Sequence, residues 1–295
     1  MKRPLKAPSK SITDEELDLL SFPVYGSPKL DGFRCLIDGI PKTASMKPMP
    51  NPFVQSELSL PELNGLDGEL IVGDPNDPNA FKNSTGPLRR QYGEPDFHFF
   101  VFDNFLFDHK SYEYRWLNTD YLNKYSNNRI IALYQLALHS PEQVITYEDL
   151  CIQQGYEGAM IRTTSSLYKQ GRATFKEMNI FKRKPFTDTE GMIIGFTEQM
   201  TNLNPKFTNE MGLTKRATNQ ENLVGAETLG NFIVRSKEWA ASFACGGGQL
   251  THEERKLVWD NQDKFLGRTI TFKYQKHGSL DAPRSPIFLR FRDEL

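Results

Sequence analysis

Apolar residues in this chain come in short runs that glycine, proline or asparagine cuts off before helix length. Residues 34–37, 66–72 and 97–105 are such runs, and their length and β-branched or aromatic content predict strands of an antiparallel or mixed sheet. Residues 156–162 and 180–184 read as two more strands. Residues 121–139 carry Leu122, Ile130, Ile131, Leu133, Leu136 and Leu138, a density that predicts a buried helix. A helix is also expected near residues 149–154 behind Ser140-Pro141-Glu142, with Gly155 as its stop. Ahead of all these, Ser11-Ile12-Thr13-Asp14-Glu15-Glu16 reads as a capped helix start.

After Pro185 the pattern changes. Residues 190–196, 231–236, 268–275 and 287–291 are short strand candidates, with one helix predicted at residues 251–260. About five strands and a helix in roughly a hundred residues suit a small Greek-key barrel of the oligonucleotide-binding (OB) type. The expected division is therefore a first domain over residues 1–186 and an OB-fold domain over residues 187–295. A chain of 295 residues has room for both.

Composition narrows the class. Lys plus Arg number 36 against 37 for Asp plus Glu, so no global polycation advertises nucleic-acid binding, and a phosphate backbone would have to be held by local basic clusters. Cys35, Cys151 and Cys245 stand far apart, without the paired spacing of a zinc site or a disulfide framework, and are expected to be small buried residues. No run of about 18 apolar residues occurs, which predicts a cytoplasmic protein, and a monomer is expected.

The chemistry concentrates in Lys29-Leu30-Asp31-Gly32-Phe33-Arg34. Pro28 restrains the residue before it and Gly32 admits unusual backbone angles, which predicts a rigid turn holding Lys29 at a strand end, with Asp31 fixing the loop. Alone, Lys-x-Asp-Gly is weak: a chain of this size meets it by accident roughly once in fifteen cases. Its company is more specific. Asp67-Gly68-Glu69-Leu70 puts a carboxylate at the edge of an apolar strand. Phe99 to Asp103 sets aromatic residues at alternate positions, with Phe100 expected in the core and Phe102 as a platform for a flat base. Glu157-Gly158, the pair Lys182 and Lys184, and Arg290-Phe291-Arg292-Asp293 complete the set. One lysine nucleophile, strand-edge acids, an aromatic face and several cations are what nucleotidyl transfer onto lysine requires.

This series resembles the covalent nucleotidyltransferases, and within them the short ATP-dependent DNA ligases of bacteriophages and viruses. The resemblance implies an α+β chain: a nucleotidyltransferase (ATP-grasp-like) adenylation domain with antiparallel or mixed sheets, then an OB-fold β-barrel. It implies ATP as the substrate that leaves AMP on Lys29, Mg²⁺ as the metal, and nicked double-stranded DNA as the partner. A free lysine has a pKa of ~10.4, so about one molecule in 2,500 is neutral at pH 7, and full deprotonation costs roughly 4 to 5 kcal/mol. Arg34, Lys182, Lys184 and the metal would lower that cost and neutralise the transferring phosphoryl group, Glu157 and Glu69 would hold metal or nucleotide sugar, and Arg292 would orient pyrophosphate. Ala44 stands where the family carries an arginine implied to touch DNA phosphate at the nick, with Lys42, Lys47, Arg89 or Arg90 as expected substitutes. An mRNA-capping guanylyltransferase, an RNA ligase and a nick-binding module without chemistry are the alternative readings.

Overall fold

The computed structural model describes residues 2–119, 121–122 and 129–292. The chain divides into two compact units, one running up to Lys184 and including Glu210–Gly212, the other made of Pro185–Asn209 and the chain from Leu213 on.

The first unit is built from β1 (Val24–Pro28), β2 (Phe33–Asp38), β3 (Ile40–Thr43), β4 (Leu66–Val72), β5 (Phe97–Asn104), β6 (Ile130–Ala132), β7 (Leu136–Leu138), β8 (Ala159–Thr163) and β9 (Ile180–Arg183). They form a five-stranded sheet ordered β3-β2-β4-β5-β6 and a four-stranded sheet ordered β7-β1-β8-β9. All pairings within them are antiparallel except β5 with β6. Alternation along the strands assigns the faces. On β5, Phe97, Phe99 and Val101 enter one core with Cys35 and Ile37 of β2. Leu36, on the opposite face of β2, enters a second core with Leu5, Tyr168 and Ile180. Each fully buried Phe or Leu of these cores contributes about 1.5–3 kcal/mol.

The four-stranded sheet is covered by the helix Pro141–Gln153, which starts at an Ser140 cap accepting from the Gln143 amide at 3.4 Å and buries Val144, Glu148 and Cys151 along one face. This helix begins well before residue 149, because Ser140-Pro141 is its own start signal. Thr13 caps the helix Asp14–Leu17 with a reciprocal Glu16 bond. All three cysteines are buried and free.

Two expectations are corrected. Residues 129–139 hold β6 and β7, not a helix, because Ile130 and Ile131 pair with Phe99 and Phe100 while Leu136 and Leu138 pair with Gly26 and Val24; residues 120 and 123–128 of that expected helix lie outside the described residues. Phe100 is also not in the core: Phe99 is, and Phe100 shares the half-buried face of Phe102.

The second unit contains β10 (Thr187–Asn202), β11 (Lys206–Thr208), β12 (Thr214–Arg216), β13 (Leu223–Arg235), β14 (Phe243–Gly246), β15 (Thr269–Gln275) and β16 (Arg284–Phe291). Five of them close a barrel in the order β10-β13-β14-β16-β15, and β11 pairs with β12 in a separate hairpin. Ile270, Phe272 and Tyr274 alternate into the barrel core with Phe232, Val234 and Phe288. The helix His252–Asp260 opens with a Thr251–Glu254 capping box. Strand β14, the β11–β12 hairpin and the extension of β10 to Asn202 go beyond the strand candidates read from the sequence. Among the described residues no helix is long and apolar enough to cross a membrane.

A charge network ties the two sheets together. Asp103 at the end of β5 is fully buried and receives Arg115 Nε at 2.7 Å and Arg162 Nη1 at 2.7 Å. Arg115, itself fully buried, also donates to the carbonyls of Lys110 and Ser166 at 2.7 and 2.8 Å. Removing the shared carboxylate would leave two guanidiniums in a low-dielectric interior. Asp103→Ala is therefore expected to destabilise the chain by about 3–5 kcal/mol in chemical denaturation.

Candidate active site

Strand ends build the site. Lys29 directly follows β1, and its amide donates to the Gly158 carbonyl at 2.8 Å. The β1–β8 register sets Pro28 opposite Ala159, and Ala159 faces Arg183 of β9. Lys29, Glu157 and Lys184 thus flank the same end of three neighbouring strands, with Glu157 two residues ahead of β8 rather than on it. Gly158 permits this closure: its φ is +145°, and a Cβ there would lie 2.2 Å from the Arg183 carbonyl oxygen. Gly32 is needed for a different reason from the expected one. Its backbone is not left-handed, but a Cβ would meet Ile71 Cδ1 at 2.3 Å and the Leu70 carbonyl oxygen at 2.5 Å.

At this end the buried Glu157 carboxylate bridges two ammoniums. Its Oε2 accepts from Lys29 Nζ in a short ion pair, and its Oε1 accepts from Lys184 Nζ at 2.9 Å. Burial pushes the Glu157 carboxyl up, but the charges and hydrogen bonds of Lys29 and Lys184 outweigh it and hold the group below the usual range. Lys182, two residues before Lys184, makes no ion pair among the described residues. Burial, then the charges of Lys184, Lys29 and Arg172, lower its affinity for a proton against the opposing pull of Glu157.

Arg34 is not a spare cation. It faces Glu69 across β2 and β4, but its Nε and Nη2 grip Asp67 in a two-point pair at 2.6 and 2.7 Å. Burial alone would loosen the guanidinium proton; the Asp67 charge and hydrogen bonds outweigh burial and raise its pKa. Asp67 also accepts from the Tyr168 hydroxyl at 2.7 Å. Phe102 carries Arg34 at 4.7 Å and Arg162 at 5.2 Å from its ring centroid, within cation–π range. Burial pushes the Glu69 carboxyl up to about 7, partly opposed by Arg34 and Lys29 and reinforced by Asp31 and Asp67.

Lys29, Arg34, Glu69, Phe102 and Lys182 line a cavity of about 290 Å³, near the lower end of ligand-pocket sizes (~300–1,000 Å³). Glu157 and Lys184 do not line it; Glu157 pairs with both Lys29, which does, and Lys184. Lys42, Lys47, Arg89 and Arg90 do not line it: Lys42 is bonded to Asp38 at 2.8 Å, Arg89 lies 5.5 Å from the Phe33 ring, and Lys47 and Arg90 are exposed. The cations that do line it beyond the expected set are Lys6, Arg162 and Arg172, with Ala44 beside them. Arg162 was legible as the i+2 neighbour of Met160 on β8; Lys6 and Arg172 carry no local signal. Arg292 belongs to the second unit, where it pairs with Glu190, and Asp293 lies outside the described residues.

A two-sheet unit with a lysine at a strand end and acids and cations around it, followed in the sequence by an OB barrel, defines the nucleotidyltransferase class. The family model described as ATP dependent DNA ligase domain matches residues 56–184, and the one described as DNA ligase OB-like domain matches residues 224–292. The chain belongs to the ATP-dependent DNA ligase family. Its Lys29 turn lies ahead of the first matched stretch. The DNA ligase of African swine fever virus (Kenya isolate) is 24% identical over 139 residues, 45% of this chain but 32% of that protein, so the match spans about a third of the relative's length. A Chlorella virus DNA ligase-adenylate structure is 26% identical, covers 100% of this chain and 99% of its own, and superposes with a TM-score of 0.55. A Lig E DNA ligase superposes at 0.70 with 19% identity, over 99% of this chain and 100% of its own.

The raised Glu69 carboxyl sets a pH dependence. The folded chain retains a proton there that the unfolded chain releases above its ordinary 4.5. Stability from that proton is complete below 4.5 and is lost as pH rises to about 7. Denaturation of the ligand-free chain across this window is expected to show a falling component that Glu69→Gln removes.

Proposed function

We propose that this chain seals nicks in double-stranded DNA through a lysyl-AMP intermediate, acting as a monomer. The observation that carries the reading is the Lys29–Glu157–Lys184 cluster at one end of β1, β8 and β9, with Lys29 lining a cavity that Phe102 and Lys182 also line. Lys29 Nζ attacks the α-phosphorus of ATP; a P–N bond forms and the bond to pyrophosphate breaks. An oxygen of the 5′-phosphate at the nick then takes the AMP from Lys29, and the 3′-hydroxyl displaces AMP to form the phosphodiester.

Lys29 can attack only after losing a proton. Glu157 Oε2, already hydrogen-bonded to Nζ, is the acceptor placed to receive it. Lys184 and Lys182 would neutralise oxygens of the transferring phosphoryl group, and Phe102 would face the adenine. Glu69, opposite Arg34, would accept hydrogen bonds from the nucleotide sugar. Arg292, from the barrel, would orient the pyrophosphate.

Among the described residues no group of three or more His, Cys, Asp or Glu side chains forms a metal cage. Glu157 and Glu69 fit a magnesium ion held mainly by substrate phosphates, which needs only one or two protein carboxylates. Such an ion would supply charge neutralisation at the phosphoryl oxygens.

The ligase family models favour this reading over the capping enzyme, the RNA ligase and the binding module without chemistry. With α-labelled ATP and Mg²⁺, the wild-type chain should become labelled, GTP should not label it, and nicked DNA should be sealed in preference to nicked RNA. Lys29→Ala should abolish labelling, and Lys184→Ala should slow it by about 10²–10³-fold. Labelling by GTP alone, or sealing of RNA alone, would overturn the assignment.

A further inference from the structure

Strand register lays out one wall of the cavity in rungs. Ser27 of β1, Met160 of β8 and Lys182 of β9 lie side by side, and the next rung on the same face, two residues farther from Lys29, is Tyr25, Arg162 and Ile180. Met160, Lys182, Arg162 and Ile180 all line the cavity. Two residues of strand advance about 7 Å, so this wall runs from the Lys29 end, where a phosphoryl group is to be bonded, to an Arg162 end beyond it. Phe102, the proposed adenine face, stands at that second end: its ring centroid is 5.2 Å from the central carbon of the Arg162 guanidinium.

Arg162 is 4% exposed, and its guanidinium is fixed from several sides. Nη1 donates to Asp103 Oδ2 at 2.7 Å, and the Tyr112 ring lies 4.6 Å from the guanidinium carbon. These anchors are themselves held: Arg115 donates to the other oxygen of Asp103 at 2.7 Å, and the Tyr112 hydroxyl donates to the Phe102 carbonyl at 3.0 Å. Asp103 is the one hydrogen-bond acceptor of Arg162 among the described residues, and it takes Nη1 alone. Nε and Nη2 have no acceptor there, and neither is sealed from solvent. In a side chain this buried, the access they keep is to the cavity that Arg162 lines. Arg34, 4.7 Å from the same Phe102 ring, differs: its Nε and Nη2 are taken by Asp67 and the Leu5 carbonyl. Buried donors are ordinarily bonded, so a guanidinium edge that is oriented but left open marks a place for an acceptor.

We infer that Arg162 binds the base of the nucleotide, donating from its open edge to a nitrogen of the six-membered ring of adenine, N1 or N3. The inference rests on the ligase reading and on Phe102 facing the adenine. A guanidinium only donates, so the exocyclic N6 amine of adenine, also a donor, is excluded, and the ring nitrogens N1, N3 and N7 are the possible partners. N7 does not suit an ATP-dependent chain, because on guanine that edge adds the O6 acceptor and a guanidinium there would prefer GTP. At N1 and N3 the order reverses: guanine carries a hydrogen on N1 and the N2 amine beside N3, and both oppose a donor. Arg162 thereby contributes to affinity and to base choice at the end of the cavity away from the chemistry.

The test reads AMP loading of the full chain against nucleotide concentration with Mg²⁺, for wild type, Arg162→Met and Arg162→Lys. The nucleotides are ATP and its 1-deaza, 3-deaza and 7-deaza analogues, each of which replaces one ring nitrogen by CH. With ATP, both variants should raise half-saturation about tenfold to a hundredfold while the saturating rate stays near that of wild type, the pattern of lost binding rather than lost chemistry. Wild type should show a similar rise with 1-deaza-ATP or with 3-deaza-ATP and none with 7-deaza-ATP. In the variants, the analogue that wild type rejects should load as ATP does. An arginine that only supports the fold would shift half-saturation equally for all four nucleotides. Arg115 is left to pair with Asp103 in both variants, the lysine keeps a charge beside Asp103 if the methionine variant melts early, and the wild-type arm needs no variant. Wild-type loading that is indifferent to 1-deaza and 3-deaza substitution, or variants that lose equally for every nucleotide, would overturn the inference while leaving the ligase reading intact. Wild-type protein that does not load AMP from ATP would overturn both.

Discussion

Everything at the site depends on one buried carboxylate shared by two ammoniums. Glu157 is held between Lys29 and Lys184 because β1, β8 and β9 are neighbours and because Gly158 lets the chain pass against the Arg183 carbonyl. The two ammoniums outweigh burial and hold the Glu157 carboxyl below its usual range. That arrangement fixes where the Lys29 ammonium sits. On the proposed function, an arriving phosphate would compete with Glu157 for the lysines and so weaken the pairing.

Around that centre the structure sorts its cations by partner. Arg34, Arg115 and Arg162 are each paired with Asp67 or Asp103, and Arg34 and Arg162 also lie over the Phe102 ring. Lys182 makes no ion pair among the described residues and lines the cavity. A near-neutral chain thereby creates a local positive field without a basic surface, which is why net charge carried no sign of a phosphate substrate.

The parts legible in the sequence were those specified by local pattern. Alternation on β5 and β15 and the capping boxes at Thr13 and Thr251 mark elements whose periods are short enough to read directly. Lys29, Glu157 and Lys184 could be picked out as candidates because each lies just beyond the end of such an element. What escaped was long-range. Residues 130–138 have helix-like apolar density, yet short apolar runs fit strand and helix alike, and pairing with β5 and β1 decides the matter. Phe99 and Phe100 exchange roles because strand phase is fixed by the register with β4. Lys6 reaches the cavity only through a bridge to Arg172, across most of the unit's length, and no window of sequence contains both.

The central claim is a covalent one, and peptide mass mapping of wild-type protein after incubation with ATP and Mg²⁺ tests it most directly. The account predicts a single adenylate, acid-labile as a P–N bond should be, on the peptide carrying Lys29. An adenylate found on Lys182, Lys184 or any other side chain, or bound without a covalent link, would contradict it.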